Sequence, residues 1–503
     1  MGKQHFDVVI VGRSIGAFAC ACLLGRRAWR VLLLGDGGRD PSYTALGHTL
    51  QRRTFTLVSG ASPAFQRVLL ELAQAQTFKR RVRALDPMLQ VMMPGQRLDL
   101  PPDPAHFARE LEREFPDSLR LIDGLYEELA KTNAFCDAVF EKDLVLPPGT
   151  FWERREARAE LSLLPHEGAK ASALLASFPL DHAYRRVATV PATFATHLAG
   201  ELPALALARL HGSWTRGMGA LPGGEDELVA FFTERIRACG GDVRLGKRAT
   251  RFVTKGSKVV AVEIDGDDEP TGLDFLVSDS PTRDLFRRTA PYVPSARTLA
   301  ELPELLPEDG RFVVSVVVGP RGVPDLLASE AFVLGDEAEL HVQRVAGPDE
   351  TTLLVAETWA SPAETPYARA RVLAALEREM PFMRAHYRIV DSPHDGLPLW
   401  DYRTGTRVAV DRMTLRAGGV EADPEPMVPR WYAPETSRGT AGLEGEPVRT
   451  PLGNAFSVGP TVLPALGQEG ELLAAWSVAR IITRTDRRRE KMRREMWSKI
   501  EFR

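Results

Sequence analysis

Four cysteines in 503 residues, Cys20, Cys22, Cys136 and Cys239, are too few and too irregularly spaced for a disulfide framework or a C-x-x-C metal site. The first two flank one turn of a predicted helix, where they read as small buried apolar residues, and the usage fits a reducing cytoplasm. No apolar run approaches the roughly 18 to 20 residues that cross a bilayer, and no signal peptide precedes the first strand. Contact with a membrane would therefore be made from its surface. Net charge is also nearly absent, at -3 from 64 Lys+Arg and 67 Asp+Glu, which removes any global reason to expect nucleic acid or an acidic partner. There is no internal repeat and no low-complexity segment. What is present, 44% apolar and 26% charged residues, is ordinary globular composition over a length that suits two or three domains.

The most informative stretch comes first. Asp7-Val8-Val9-Ile10-Val11 is a β-branched run that breaks at Gly12 and passes through Arg13-Ser14-Ile15-Gly16-Ala17 into an Ala/Leu-rich helix. That is the pattern of an opening βα unit in a dinucleotide-binding domain. Against the template G-x-G-x-x-G/A, Gly12 holds the first position and Ala17 the third, while Ser14 stands where backbone must approach a pyrophosphate. Arg30 to Leu34 reads as a second buried strand. The acidic residue expected about 20 residues after the glycine turn falls in register on Gly35, with Asp36 one step late. Asp36 is the candidate for ribose contact. The same opening also spells G-x-S-x-G, the nucleophile elbow of a hydrolase with Ser14 as nucleophile. Too little chain precedes it to build the sheet such an elbow crowns, and the histidines fall in no triad order.

Helical periodicity marks Phe65 to Gln74, Pro104 to Glu114, Leu119 to Lys131 and segments of 171–200, with a hairpin around Pro94-Gly95 inside this block. The block reads as an insertion between halves of the nucleotide domain. Gly217 to Gly224 then leads into a helix, Glu225 to Cys239, followed by Asp242 to Leu245, a hairpin around Lys255-Gly256 and the buried run Asp274 to Ser278. The chain has returned to its first sheet. Residues 283–450 predict strands at Phe312 to Val318 and Thr352 to Glu357 and a helix at Ala368 to Glu379, a second domain on its own sheet. Gly453 to Pro460 predicts a short strand, and Glu471 to Ile482 a helix opened by a glycine turn whose free N-H groups suit an anion or electron-rich ring. From Arg480 onward ten Lys/Arg face four Asp/Glu. Met492, Met496 and Ile500 at helical spacing, with Trp497 beside them, make this tail a basic amphipathic helix suited either to its own domain or to an anionic membrane face.

With these pieces placed, the chain resembles the carotenoid (phytoene) desaturases of the FAD-dependent amine oxidase superfamily. The matching stretches are residues 6–34, Arg97 to Asp103 with its helix, Gly217 to Pro222, 242–278, and Gly459-Pro460 through Leu466-Gly467-Gln468-Glu469-Gly470, the most specific of them. The resemblance implies an α/β fold: a Rossmann-like FAD-binding domain assembled from 1–60, 210–282 and 451–482, a substrate domain from 61–209 and 283–450, and a basic helix over 483–503. It implies FAD with its pyrophosphate bordered by Gly12 and Ala17, its adenine met by the backbone of Val243, and its ribityl chain and isoalloxazine approached by Gly459, Gly467 and Gly470; Ser14, Ile15, Gly16, Asp36, Pro460, Glu469 and Glu471 complete the candidate cofactor site. It further implies an oxidoreductase that dehydrogenates or isomerises a long apolar, isoprenoid-type molecule, cytoplasmic and at the inner face of the membrane. The chain departs from the pattern at Ser14, at Gly35 in place of a ribose-binding glutamate, at Gly37-Gly38-Arg39, and at Glu471 in place of a small residue. These departures favour an alternative, a cofactor-free binding or scaffold protein that holds a lipid or prenyl group on the same fold.

Overall fold

The opening apolar run forms β1 (His5–Val11), and Ser14 caps α1 (Ile15–Arg26), which is buried along nearly its whole length. The structure, a computed structural model, describes residues 4–166, 168–303, 306–432, 442–443 and 445–501. Next in order come β2 (Val31–Leu34), the hairpin β3 (Leu89–Met93) and β4 (Gln96–Leu100), and the helices α2 (Leu119–Phe140), α3 (Phe151–Leu161), α4 (Ala183–Ala195), α5 (Ala204–Thr215) and α6 (Gly224–Ala238). The chain then forms β5 (Asp242–Arg244), β6 (Ala249–Lys255), β7 (Lys258–Ile264), β8 (Thr271–Ser278) and β9 (Thr289–Ala290). A second series follows: β10 (Leu306–Val318), β11 (Glu330–Leu334), β12 (Glu339–Ala346), β13 (Thr352–Ala360), α7 (Thr365–Glu379), β14 (Tyr387–Asp391), β15 (Leu399–Asp401), β16 (Val408–Val410) and β17 (Val428–Tyr432). The chain closes with β18 (Ala455–Ser457), α8 (Gln468–Arg484) and α9 (Arg487–Glu501).

The first sheet has eight strands in the order β9-β6-β7-β8-β1-β2-β5, with β18 added beside β8. Its centre is parallel: Val9 pairs with Leu276 and with Leu32, and Val277 pairs with Phe456. Parallel strands covered on both faces are apolar, as Val8 to Val11 of β1, all of β2 and Leu276-Val277 of β8 are. The helices α1 and α8 pack together on one face, a Rossmann-like layer. The second sheet has ten strands in the order β16-β15-β14-β10-β13-β12-β11-β3-β4, with β17 beside β10. The architecture is thus a Rossmann-like α/β domain joined to an α+β domain.

Two elements go further than the sequence reading. The hairpin around Pro94-Gly95 forms as read, and its first strand extends the second sheet: β3 pairs parallel to β11, Val91 with Phe332. All five β3 residues are buried, which a lone hairpin could not achieve. The helix from Leu119 runs nine residues past Lys131 to Phe140, because the apolar spacing continues through Cys136 and Val139. In the tail, α9 lies against the body: Arg489 stacks over Trp29 at 3.7 Å, Arg493 bonds Asp143 at 2.9 Å, and Trp497 donates to Glu71 at 3.1 Å. Met492 and Met496 are half-buried there, while the Ile500 side chain and Arg503 lie outside the described residues. Among those described, no helix is long and apolar enough to cross a membrane.

Candidate functional site

A cavity of about 570 Å³ runs between the two domains, from the first turn of α1 to an aromatic wall that includes Phe194, Trp214 and Trp431. A volume and lining of this kind suit a small organic ligand. The turn begins at Gly12, whose φ of +138° excludes a side chain, and whose N-H is taken by the Leu34 carbonyl at 2.9 Å. A Cβ at Gly12 would land in the carboxyl group of Asp279.

Asp279 follows directly on β8, so the parallel pairing of β8 with β1 carries it to the mouth of α1. Its carboxylate accepts from the backbone N-H of Arg13 and of Ser14, each at 2.8 Å. The Ser14 hydroxyl accepts from Ala17 N-H at 3.1 Å as an N-cap. Ser14 is therefore occupied as a cap, and among the described residues no histidine hydrogen-bonds it. On the far side of the turn, Glu471 accepts from Gly16 N-H at 3.3 Å and pairs with His197 Nε2 at 3.0 Å. Burial pushes the Asp279 carboxyl up to about 6; the N-H groups of Ser14 and Arg13 oppose that rise, and the Glu471 carboxylate adds to it.

The predicted residues fall into two groups. Gly12, Ser14, Ile15, Asp36, Pro460 and Glu471 line the cavity. Gly16 and Ala17 lie behind them in α1, and Val243 sits in the edge strand β5, paired with Leu33. Gly459 presses on the Asp279 backbone, Gly467 on the carbonyl of Ala195 and Gly470 on that of Leu463, so these glycines permit chain-to-chain packing. Glu469 turns away into a buried pair with Arg209 and Ser62. Asp36, at φ +54°, bonds Arg288 at 2.7 and 2.8 Å and Ala249 N-H at 3.3 Å. Gly35 abuts the Leu245 carbonyl so closely that no side chain fits there.

Three features escaped the sequence reading. Asp279 is the first; its only local signal is an acidic residue immediately after a strand of the parallel sheet. Arg53, paired with Glu225 at the cavity, is the second. The third is His341, buried between Glu330 at 2.7 Å and Glu357 at 3.1 Å and stacked on Phe332 with ring centroids 4.7 Å apart. Burial alone would lower His341, but the two carboxylates raise it to about 9, so it is an imidazolium in a fixed ionic cluster with Arg311.

A dinucleotide in this fold sets its pyrophosphate against the N-H groups of that first turn. Here the chain's own carboxylates hold those of Arg13, Ser14 and Gly16. The lining carries Asp36, Glu225, Asp279, Asp284 and Glu471 against Arg13, Arg53, Arg311 and the His341 imidazolium; Arg13 is already paired with Asp40 at 2.7 Å, Arg53 with Glu225, Arg311 with Glu357, and His341 with Glu330 and Glu357. A pyrophosphate would meet two carboxylates, and among the described lining residues every arginine already has a carboxylate partner. The residues present do not fit FAD.

No protein-family model and no curated protein matches the chain. Solved structures do. An oxidoreductase from Methanosarcina mazei is similar with a TM-score of 0.60 at 15% identity, over 94% of this chain and 99% of that one. A putrescine oxidase variant gives 0.58 at 15% identity over 96% and 100%, and cyclohexylamine oxidase from Brevibacterium oxydans gives 0.56 at 15% over 95% and 99%. The likeness is one of fold. The desaturase subtype rests on the sequence motifs alone.

Proposed function

We propose that this chain is a flavin-free binding protein on an oxidoreductase fold, which holds an apolar small molecule, of lipid or prenyl type, in the interdomain cavity. The observation that supports it is the Asp279 carboxylate on the N-H groups of Arg13 and Ser14. That contact satisfies the helix end as an anionic ligand would and places negative charge where a pyrophosphate would have to go. The aromatic wall supplies apolar area, and the His341 cluster is internally neutral, with two cations and two carboxylates, so it stiffens the wall without attracting a charged ligand.

The test is a visible absorption spectrum of the purified protein, with flavin assayed in the supernatant after denaturation. Colourless protein whose melting temperature is unmoved by added FAD is expected; stoichiometric released flavin would overturn the reading. A second reading, a flavin-dependent oxidoreductase acting on a long apolar substrate, draws support from the fold shared with the amine oxidases. The same spectrum separates the two.

A further inference from the structure

Helix α3 starts at a capping box in which Thr150 accepts from Glu153 N-H at 3.2 Å and the Glu153 carboxylate accepts from Thr150 N-H at 2.9 Å. Its first turn holds Phe151 and Trp152 in solvent, each 70% exposed, with ring centroids 5.4 Å apart. An adjacent pair of exposed aromatics fixed on a rigid turn is a loss in water unless something covers it.

The charges of the helix are sorted by direction. Its carboxylates reach inward to cations of the body: Glu153 to Arg449 at 2.7 Å, Glu156 to Arg480 at 2.8 Å, and Glu160 to Lys142. Arg155 and Arg158 are exposed and, among the described residues, form no ion pair; the Arg155 guanidinium lies 5.9 Å from the Trp152 ring centroid. The inner side of α3 is thus neutralised, and the outer side carries two aromatics among unpaired arginines.

Helix α9 is tied to α3 through the body. Arg480, which binds Glu156 of α3, also approaches Asp143 at 3.4 Å, and Asp143 accepts from Arg493 of α9 at 2.9 Å. The two helices are therefore linked by one chain of ion pairs through the buried Arg480. The outer residues of α9 include the exposed Arg487, Arg488, Lys491 and Arg494. A locally basic surface on a chain of net charge -3 is complementary to an anionic surface, and aromatic rings flanked by arginines match the depth of lipid headgroups. We propose that α3 is a membrane-contacting surface, with Phe151 and Trp152 seated in the headgroup layer of an anionic bilayer and Arg155 and Arg158 on its phosphates. The contact is made by α3, with α9 as a basic flank whose own apolar side is engaged by the body.

The full chain is sedimented with vesicles of phosphatidylcholine alone and of phosphatidylcholine with phosphatidylglycerol, at low and high salt. Binding is expected only to the anionic vesicles, weaker at high salt. It should fall about tenfold or more in Phe151→Ser/Trp152→Ser and in Arg155→Glu/Arg158→Glu, all solvent-facing positions whose variants should keep the wild-type melting temperature. The proposal is overturned by no binding to either vesicle. It is equally overturned by binding that both double variants retain, or by concentration-dependent dimerisation, lost in Phe151→Ser/Trp152→Ser, without vesicle binding.

Discussion

Asp279→Asn isolates the charge at the mouth of α1 while keeping an oxygen for the N-H groups of Arg13 and Ser14. The carboxyl is raised from 3.8 to about 6 by burial, and at about 1.4 kcal/mol per pH unit that difference corresponds to about 3 kcal/mol. Below pH ~4 the group is protonated in folded and unfolded chains alike and contributes nothing to their difference. Between pH ~4 and ~6 the unfolded chain releases its proton first, so the folded state loses stability as pH rises, and above pH ~6 the loss is complete. The asparagine does not titrate. Urea unfolding of both proteins at pH 4.5 and pH 8 should show the variant more stable by about 1–2 kcal/mol at pH 8, with a smaller gap at the lower pH. Other carboxylates titrating in this range are common to both proteins and cancel in the difference. A variant less stable than wild type at pH 8, or one with an unchanged pH dependence, would refute the account of Asp279 as a buried, cation-free anion.

Three further outcomes follow from other contacts. Gly35→Glu, the change that would restore the family's acidic residue, should destabilise the chain by about 2 kcal/mol or more without creating nucleotide affinity, because the Leu245 carbonyl fills the space; thermal unfolding and FAD titration check both halves. Arg27→Ala should be among the most damaging single changes, about 3–5 kcal/mol, since Arg27 and Glu71 form a bidentate pair at 2.7 and 2.9 Å with both side chains fully buried; denaturant midpoints read it. His341, raised to about 9 by its two carboxylates, adds stability that is fully present below its unfolded value near 6.5 and is lost as pH rises through about 9. Replacing it by Gln should flatten the decline of melting temperature on that alkaline limb.

The parts of the fold that were legible in the sequence are those whose cause is local. The β1-α1 unit announces itself by a β-branched run, one glycine with φ +138° and a serine cap, and the hairpin at Pro94-Gly95 by its turn residues. What β3 pairs with was not legible, because its partner β11 lies about 240 residues on and nothing within 89–93 records it. The candidate site suffered in the same way. Ser14 could be recognised as a departure, but the group that uses its N-H stands 265 residues away, and the one on Gly16 stands 455 away. Gly35 looked like a lost glutamate; in three dimensions it is the contact that lets β2 close on the Leu245 turn.

The separation of these partners bears on why the carboxylates are there. A helix end that opens into a cavity leaves N-H groups needing acceptors, and an anion is the strongest acceptor available. In a cofactor-bound architecture the dinucleotide meets that need and, in doing so, ties the first turn to later segments of a discontinuous domain. In this chain Asp279 joins the first turn to the end of β8 and Glu471 joins it to the start of α8, so three segments distant in sequence are fastened at one point by side chains. Ser14, with its hydroxyl on Ala17 N-H and its own N-H on Asp279, completes the fastening. The three residues therefore act as one substitution for a bound anion. The raised Asp279 carboxyl measures the strain of that arrangement, and the purified chain should refold from urea to its native melting temperature with no nucleotide added, as the flavin-free proposal requires.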